Sequence, residues 1–102
     1  MKKNLDNNRT IKLITDYIDE MTPSYGTSDN GNVMLYDSNN KCIVFYSENT
    51  STVWGDSEGL VNKIYTMFGS WALDDVKEAL KLVIKRNFPD VIIKDAGVAN
   101  IG

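Results

Sequence analysis

The chain has 102 residues, of which 42% are hydrophobic and 25% charged, with a formal net charge of −3. That is the length of one globular domain, and the balance of residues leaves disorder only for the two ends, about 1–8 and 96–102. A single cysteine, Cys42, and no histidine exclude an internal disulfide, the histidine-based nucleophile pairs and a Cys/His zinc site.

The opening Met1-Lys2-Lys3-Asn4-Leu5-Asp6-Asn7-Asn8 is basic and polar, with no apolar stretch behind it. The longest apolar runs, 42–46 and 82–84, are too short to span a bilayer. A reducing cytoplasm is the expected location. Charge is unevenly spread. Residues 1–12 hold four bases against Asp6, and residues 63–102 hold six bases against five acids. Residues 13–62 hold eight acids (Asp16, Asp19, Glu20, Asp29, Asp37, Glu48, Asp56, Glu58) against Lys41 alone, a net of −7.

In chain order, Ile11, Ile14, Ile18 and Met21 recur at helical spacing, which predicts a helix over 10–21 that Pro23 stops. Residues 24–32 read as a polar loop. Strands are expected at 32–36 and 41–47, joined by the turn Asp37-Ser38-Asn39-Asn40. In the second strand, alternation places Cys42, Val44 and Tyr46 on one face and Ile43, Phe45 and Ser47 on the other. Both faces are largely apolar, so this strand is expected to be central, with its thiol buried. Thr50-Ser51-Thr52-Val53-Trp54 reads as a third meander strand ended by Gly55.

Asp56 or Ser57 caps the next helix, whose stripe is Leu60/Val61, Ile64/Tyr65 and Phe68, with Gly69 as its stop. The third helix is expected at about 72–87, with Asp74 and Asp75 early and Lys85 and Arg86 late, as the helix dipole favours. Val91-Ile92-Ile93-Lys94 reads as a short returning strand and 95–102 as a loose tail. The fold class is α+β: a small, mainly antiparallel sheet with three helices, in the order α-β-β-(β)-α-α-β.

Little in this pattern carries chemistry. Asp29-Asn30-Gly31-Asn32 resembles part of a calcium loop but lacks the closing glutamate, since Asp37 stands in its place. No glycine-rich phosphate cradle occurs. The carboxylate pairs Asp16/Glu20 and Asp74/Glu78, at i,i+4, read as solvated helix surface, as does the stripe Lys77, Lys81, Lys85. The expectation is a protein that is not an enzyme, with no metal, no cofactor and no direct nucleic-acid contact.

Aromatic residues suggest a surface role instead. Tyr25, Tyr36, Tyr46 and Trp54 lie in or beside the acidic block, and Tyr and Trp favour the centres of protein interfaces. Trp71 is expected in the core, whereas Tyr25 and Trp54 fit core or interface equally. The candidate partner-binding residues are Glu48, Trp54, Asp56, Glu58, Tyr25 and Asp37, with Glu48, Asp56 and Glu58 expected together near Trp54 at one end of the sheet. The candidate partner is a protein with a basic surface.

In size, in its acidic hairpin and flanking helices, and in Ser47-Glu48-Asn49 followed by a helix that ends before Gly69-Ser70-Trp71, the chain resembles small phage-type inhibitors such as anti-CRISPR proteins. That resemblance implies a non-enzymatic inhibitor that occupies the nucleic-acid-binding surface of a partner in the host cytoplasm. Two other readings stand beside it: a self-associating assembly protein, and a carboxylate-based enzyme that uses a divalent metal.

Overall fold

A computed structural model describes residues 2–101, apart from the side chains of residues 2–7 and of Trp71. The expected core position of the Trp71 ring therefore lies outside the described side chains. Three helices, α1 (Lys2–Met21), α2 (Asn62–Phe68) and α3 (Leu73–Asn87), pack on one face of a five-stranded sheet. Its strands are β1 (Ser24–Thr27), β2 (Val33–Tyr36), β3 (Cys42–Ser47), β4 (Thr52–Asp56) and β5 (Asp95–Ala99), side by side in chain order. The first four are antiparallel neighbours, and β5 joins β4 in parallel. A parallel neighbour needs a crossover, which α2 and α3 supply.

The core follows from the periodicities. From α1, Ile14 and Ile18 are fully buried, and α3 contributes Val76, Ala79, Leu80, Val83 and Ile84. The sheet meets them with Val33, Leu35, Val44, Tyr46, Val53 and Ala96. Arg86 clips the two long helices together by donating to Asp16 (3.1 Å) and Asp19 (2.6 Å). Asp16 also accepts from Lys12, so its carboxyl is held below the usual carboxylate range by hydrogen bonds from Lys12 and then Arg86. Glu78 pairs with Lys81 at 3.2 Å.

Several elements differ from the sequence expectation. α1 extends back to Lys2 rather than starting near residue 10. Residues 24–27, expected as loop, form the edge strand β1, where Gly26 alone is even partly covered. Between α1 and β1 the chain turns at Pro23. The helix expected at Asp56 opens as a π-helical turn, Ser57–Val61, before α2. The wider turn leaves room for Leu60 and Val61 both to be buried. Gly69 ends α2 with φ 94° and leads through a 3-10 turn into α3.

The largest correction concerns the C-terminus. The returning strand is not the apolar run 91–94 but Asp95–Ala99, which was expected as a loose tail. The carbonyls of the run are claimed by side chains. Val91 accepts from the Lys85 ammonium, and Ile92 accepts from the Tyr46 hydroxyl at 2.7 Å. Strand pairing begins only after Lys94, whose N–H donates to the Ser51 carbonyl at 2.7 Å. Among the described residues, no helix is long and apolar enough to cross a membrane.

Candidate functional site: the uncovered face of the sheet

All three helices lie on one side, so among the described residues the other face of the sheet carries no element. Antiparallel sheets built this way usually show water a polar face. Here the face is aromatic. Met34 on β2 stands opposite Phe45 on β3, Phe45 opposite Trp54 on β4, and Trp54 opposite Gly97 on β5. On the other flank Met34 stands opposite Gly26 of β1. Cross-strand partners share a face, so one row of side chains, Gly26–Met34–Phe45–Trp54–Gly97, crosses the entire sheet.

The row has a packing logic at its two ends. Both edge strands place a glycine in it, and a large side chain lies over each. The Tyr36 ring comes within 3.3 Å of where a Cβ on Gly26 would sit, and the Trp54 ring within 2.5 Å of the same point on Gly97. Any other residue at 97 would displace the indole. Aromatics that cover edge glycines in this way protect strand pairing that would otherwise be weak. Met34, Tyr36, Phe45 and Trp54 are all half-buried: they shelter one another and still meet solvent.

A one-residue bulge decides what else reaches this face. Leu35 pairs with Val44 and Tyr36 with Cys42, so Ile43 is the extra residue on β3. Ile43 and Val44 are both fully buried, and the alternation expected through the strand is broken. Cys42 consequently shares the open face with Tyr36, half-buried rather than enclosed, its thiol donating to the Val44 carbonyl at 3.3 Å. Burial, first of all, pushes its pKa up, and the nearby Asp56 charge adds to the rise.

The sequence-nominated residues do not form one cluster. Trp54 lies on the open face. Tyr25 pairs with Leu35 on the helix-covered side, 64% exposed at the margin, its ring edge-on to Phe88 at 5.3 Å. Asp37 serves the β2–β3 turn, accepting from the N–H groups of Asn39 and Lys41 at 2.8 and 2.9 Å. Asp56 and Glu58 sit at that same end, where β4 enters the π-helical turn. Glu48 lies in the β3–β4 turn, a full strand length away. The expected grouping of Glu48 with Asp56 and Glu58 is corrected accordingly.

Asp56 is also no surface charge, being 1% exposed. One oxygen accepts from Gly59 N–H at 2.6 Å, the other from Ile101 N–H at 2.9 Å, and Lys41 Nζ stands 3.7 Å off. It caps the helical turn and anchors the chain just beyond β5. Met34, Tyr36 and Phe45, absent from the nominated set, are the residues that Trp54 joins. Alternation in 32–36 and 41–47 carried that signal, since both faces of those strands are apolar.

The sheet and its turns, residues 24–58, hold Asp29, Asp37, Glu48, Asp56 and Glu58 against Lys41, a net of −4. The open face is an apolar strip on a sheet whose turns carry Asp29, Asp37, Glu48 and Glu58, while Asp56 is buried. Among the described residues, no group of three or more His, Cys, Asp or Glu side chains could hold a metal ion. In comparisons with protein-family models, curated proteins and solved structures, nothing matches this chain.

Proposed function

We propose that this chain is a non-enzymatic protein-binding inhibitor that docks the uncovered face of its sheet on a basic surface of a partner protein. The observation that carries the proposal is the row Met34–Phe45–Trp54, flanked by Tyr36, on a face that no described element covers. A contiguous aromatic strip at a solvent face marks an interaction surface. The exposed acids on the turns at the strand ends, Asp29, Glu48 and Glu58, with Asp37 partly exposed beside them, favour a positively charged partner and speed encounter with it. A surface that normally holds nucleic acid has that charge, and covering it would block its use, which is the action the likeness to anti-CRISPR-type inhibitors implies.

The test compares two equally radical substitutions. Phe45→Lys places a base at the centre of the row, and Leu82→Lys places one on the exposed side of α3, where Leu82 is 44% exposed. Both variants are checked for folding by circular dichroism and then used, with wild type, to capture partners from cell extract at graded salt. A captured protein lost with Phe45→Lys, kept with Leu82→Lys and released as salt rises supports the face. Equal capture by both variants sinks it.

Self-association is the second reading, because β1 and β5 leave unpaired edges beside an apolar face. Sedimentation at tens of micromolar separates the two: a monomer removes the assembly reading, and a dimer broken by Phe45→Lys removes the first.

A further inference from the structure

At the end of the sheet away from Asp56, three loops border a solvent-open cavity of about 490 Å³. Gly31 of the β1–β2 turn, Glu48 and Ser51 of the β3–β4 turn, and residues 87–92 after α3 line it, with the Tyr46 ring below. The size falls within the range of small-molecule sites. The walls are tied to one another. Tyr46 donates to the Ile92 carbonyl at 2.7 Å, Lys94 N–H to Ser51 at 2.7 Å, and Glu48 N–H to Asn32 Oδ1 at 3.0 Å. Tyr25 supports Phe88 from outside. Such a cavity exists before any ligand arrives, so little ordering is required on binding.

Its lining is chemically one-sided. Glu48 and Asp90 are the charged residues among those that line it, and no base forms an ion pair with either among the described residues. Lys85, on the helix that leads into this wall, is turned to the carbonyls of Pro89 and Val91. Phe88, Pro89, Val91 and Ile92 supply apolar surface, and Ile92 is 66% exposed at the rim. Gly31 leaves room for one carboxylate arm. With φ 86° it occupies the left-handed region, and a Cβ there would come within 3.1 Å of Glu48 Cγ. The Glu48 side chain therefore lies directly over the bare Cα.

We infer that this cavity binds an organic cation, a guanidinium or alkylammonium group on an aliphatic stem, with Glu48 and Asp90 as its counter-charges and Phe88, Ile92 and Tyr46 around the stem. Charge-assisted hydrogen bonds and contact of a cation with aromatic rings are the interactions such a lining offers. The cavity lies on the helix-covered side of the sheet. It stands or falls independently of the open face.

The experiment titrates the full chain with agmatine, and separately with a short neutral peptide carrying one central arginine, following amide chemical shifts. Saturable binding that moves the amides of residues 31, 48 and 87–92, and that Glu48→Gln with Asp90→Asn weakens about tenfold or more, is the expected result. Glu58→Gln, which removes one charge at the opposite end, should bind as wild type does. Both substitutions keep shape, and thermal melts confirm the fold. Tighter binding of the peptide assigns the cation to a partner's side chain, and equal or tighter agmatine binding assigns it to a free metabolite. The inference is overturned if neither probe saturates at millimolar concentration, if the double variant binds undiminished, or if the shifts map elsewhere.

Discussion

Two acids drawn from the same acidic stretch, Asp56 and Glu48, end at opposite poles of the sheet with opposite fates. Asp56 is enclosed, and its two oxygens accept the backbone N–H groups of Gly59 and Ile101. Glu48 projects from a tight turn into a solvent-open cavity, and only its backbone is hydrogen-bonded to the rest of the fold. The lesson concerns desolvation. A carboxylate is tolerated inside a protein when donors replace its water, and it then belongs to the fold. Where water still reaches it, its charge is available to something else. Net charge over a stretch of sequence therefore does not define a surface.

The comparison breaks first at Asp56. Asp56→Ala removes a helix cap, leaves the Gly59 and Ile101 amides without acceptors, and frees the end of β5. A loss of about 3 kcal/mol is expected from the cap and one charge-assisted hydrogen bond. Urea denaturation measures it, and amide exchange should show residues 99–101 opening ahead of the rest. A cost under about 0.5 kcal/mol would mean that Asp56 is not the anchor its geometry describes.

At the other pole the largest effect belongs to Gly31, not to the acid. Gly31→Ala forces a Cβ onto a backbone with φ 86° and against Glu48. A cost of about 1 kcal/mol is expected from the left-handed conformation. The same substitution should also weaken agmatine binding, since the Glu48 side chain must move. Loss of stability with cation binding intact would separate the turn from the cavity.

A subtler effect returns to the Asp56 pole through Cys42. Burial raises the thiol pKa, and the Asp56 charge raises it further. The pH at which native Cys42 alkylates should therefore lie above that of the urea-unfolded chain. For an acid whose folded pKa exceeds its unfolded one, the stability it contributes is full below the unfolded value and is lost as pH rises through the folded one. Stability should thus fall on the alkaline side. In Asp56→Asn, which keeps shape but not charge, the alkylation midpoint should move down toward the unfolded one. An unchanged midpoint would show that the Asp56 charge does not reach the thiol.

Sequence and structure agree where side chains have one job. The stripes of α1 and α3 and the hydrophobic β3 are legible because burial sets their period. Asp56 was legible as a cap, since capping needs only residue type and position. Its burial was not, because Ile101 reaches it from forty-five positions along the chain. β1 and β5 were missed for a related reason. Ser24-Tyr25-Gly26-Thr27 and Asp95-Ala96-Gly97-Val98-Ala99 have small or polar residues where strands usually alternate, and their coverage comes from Tyr36 and Trp54 on neighbouring strands. The run 91–94 misled in the opposite sense. It is apolar enough for a strand, but Lys85 and Tyr46 occupy its carbonyls. Of the site, Trp54 was named from its type, while the row it completes depends on a register that the bulge at Ile43 shifts.

The smallest expected effect makes the sharpest contrast. Glu48→Gln removes a charge from the turn while leaving the side chain's length and its contact over Gly31. The backbone bonds of the turn, Glu48 N–H to Asn32 Oδ1 and Ser51 N–H to the Glu48 carbonyl, do not depend on the carboxylate. No described base pairs with it, so no attraction is lost, and solvent already screens its charge from the rest of the acidic half. Stability should change by less than about 0.5 kcal/mol by urea denaturation, against about 3 kcal/mol for Asp56→Ala. If Glu48→Gln proved as costly as Asp56→Ala, both acids would belong to the fold, and the cavity would lose its free counter-charge. If it proved stabilising, relief of repulsion with Asp90 across the cavity would account for it. That result would strengthen the case for a cation bound beside them, because two carboxylates that repel one another gain most when a positive group enters.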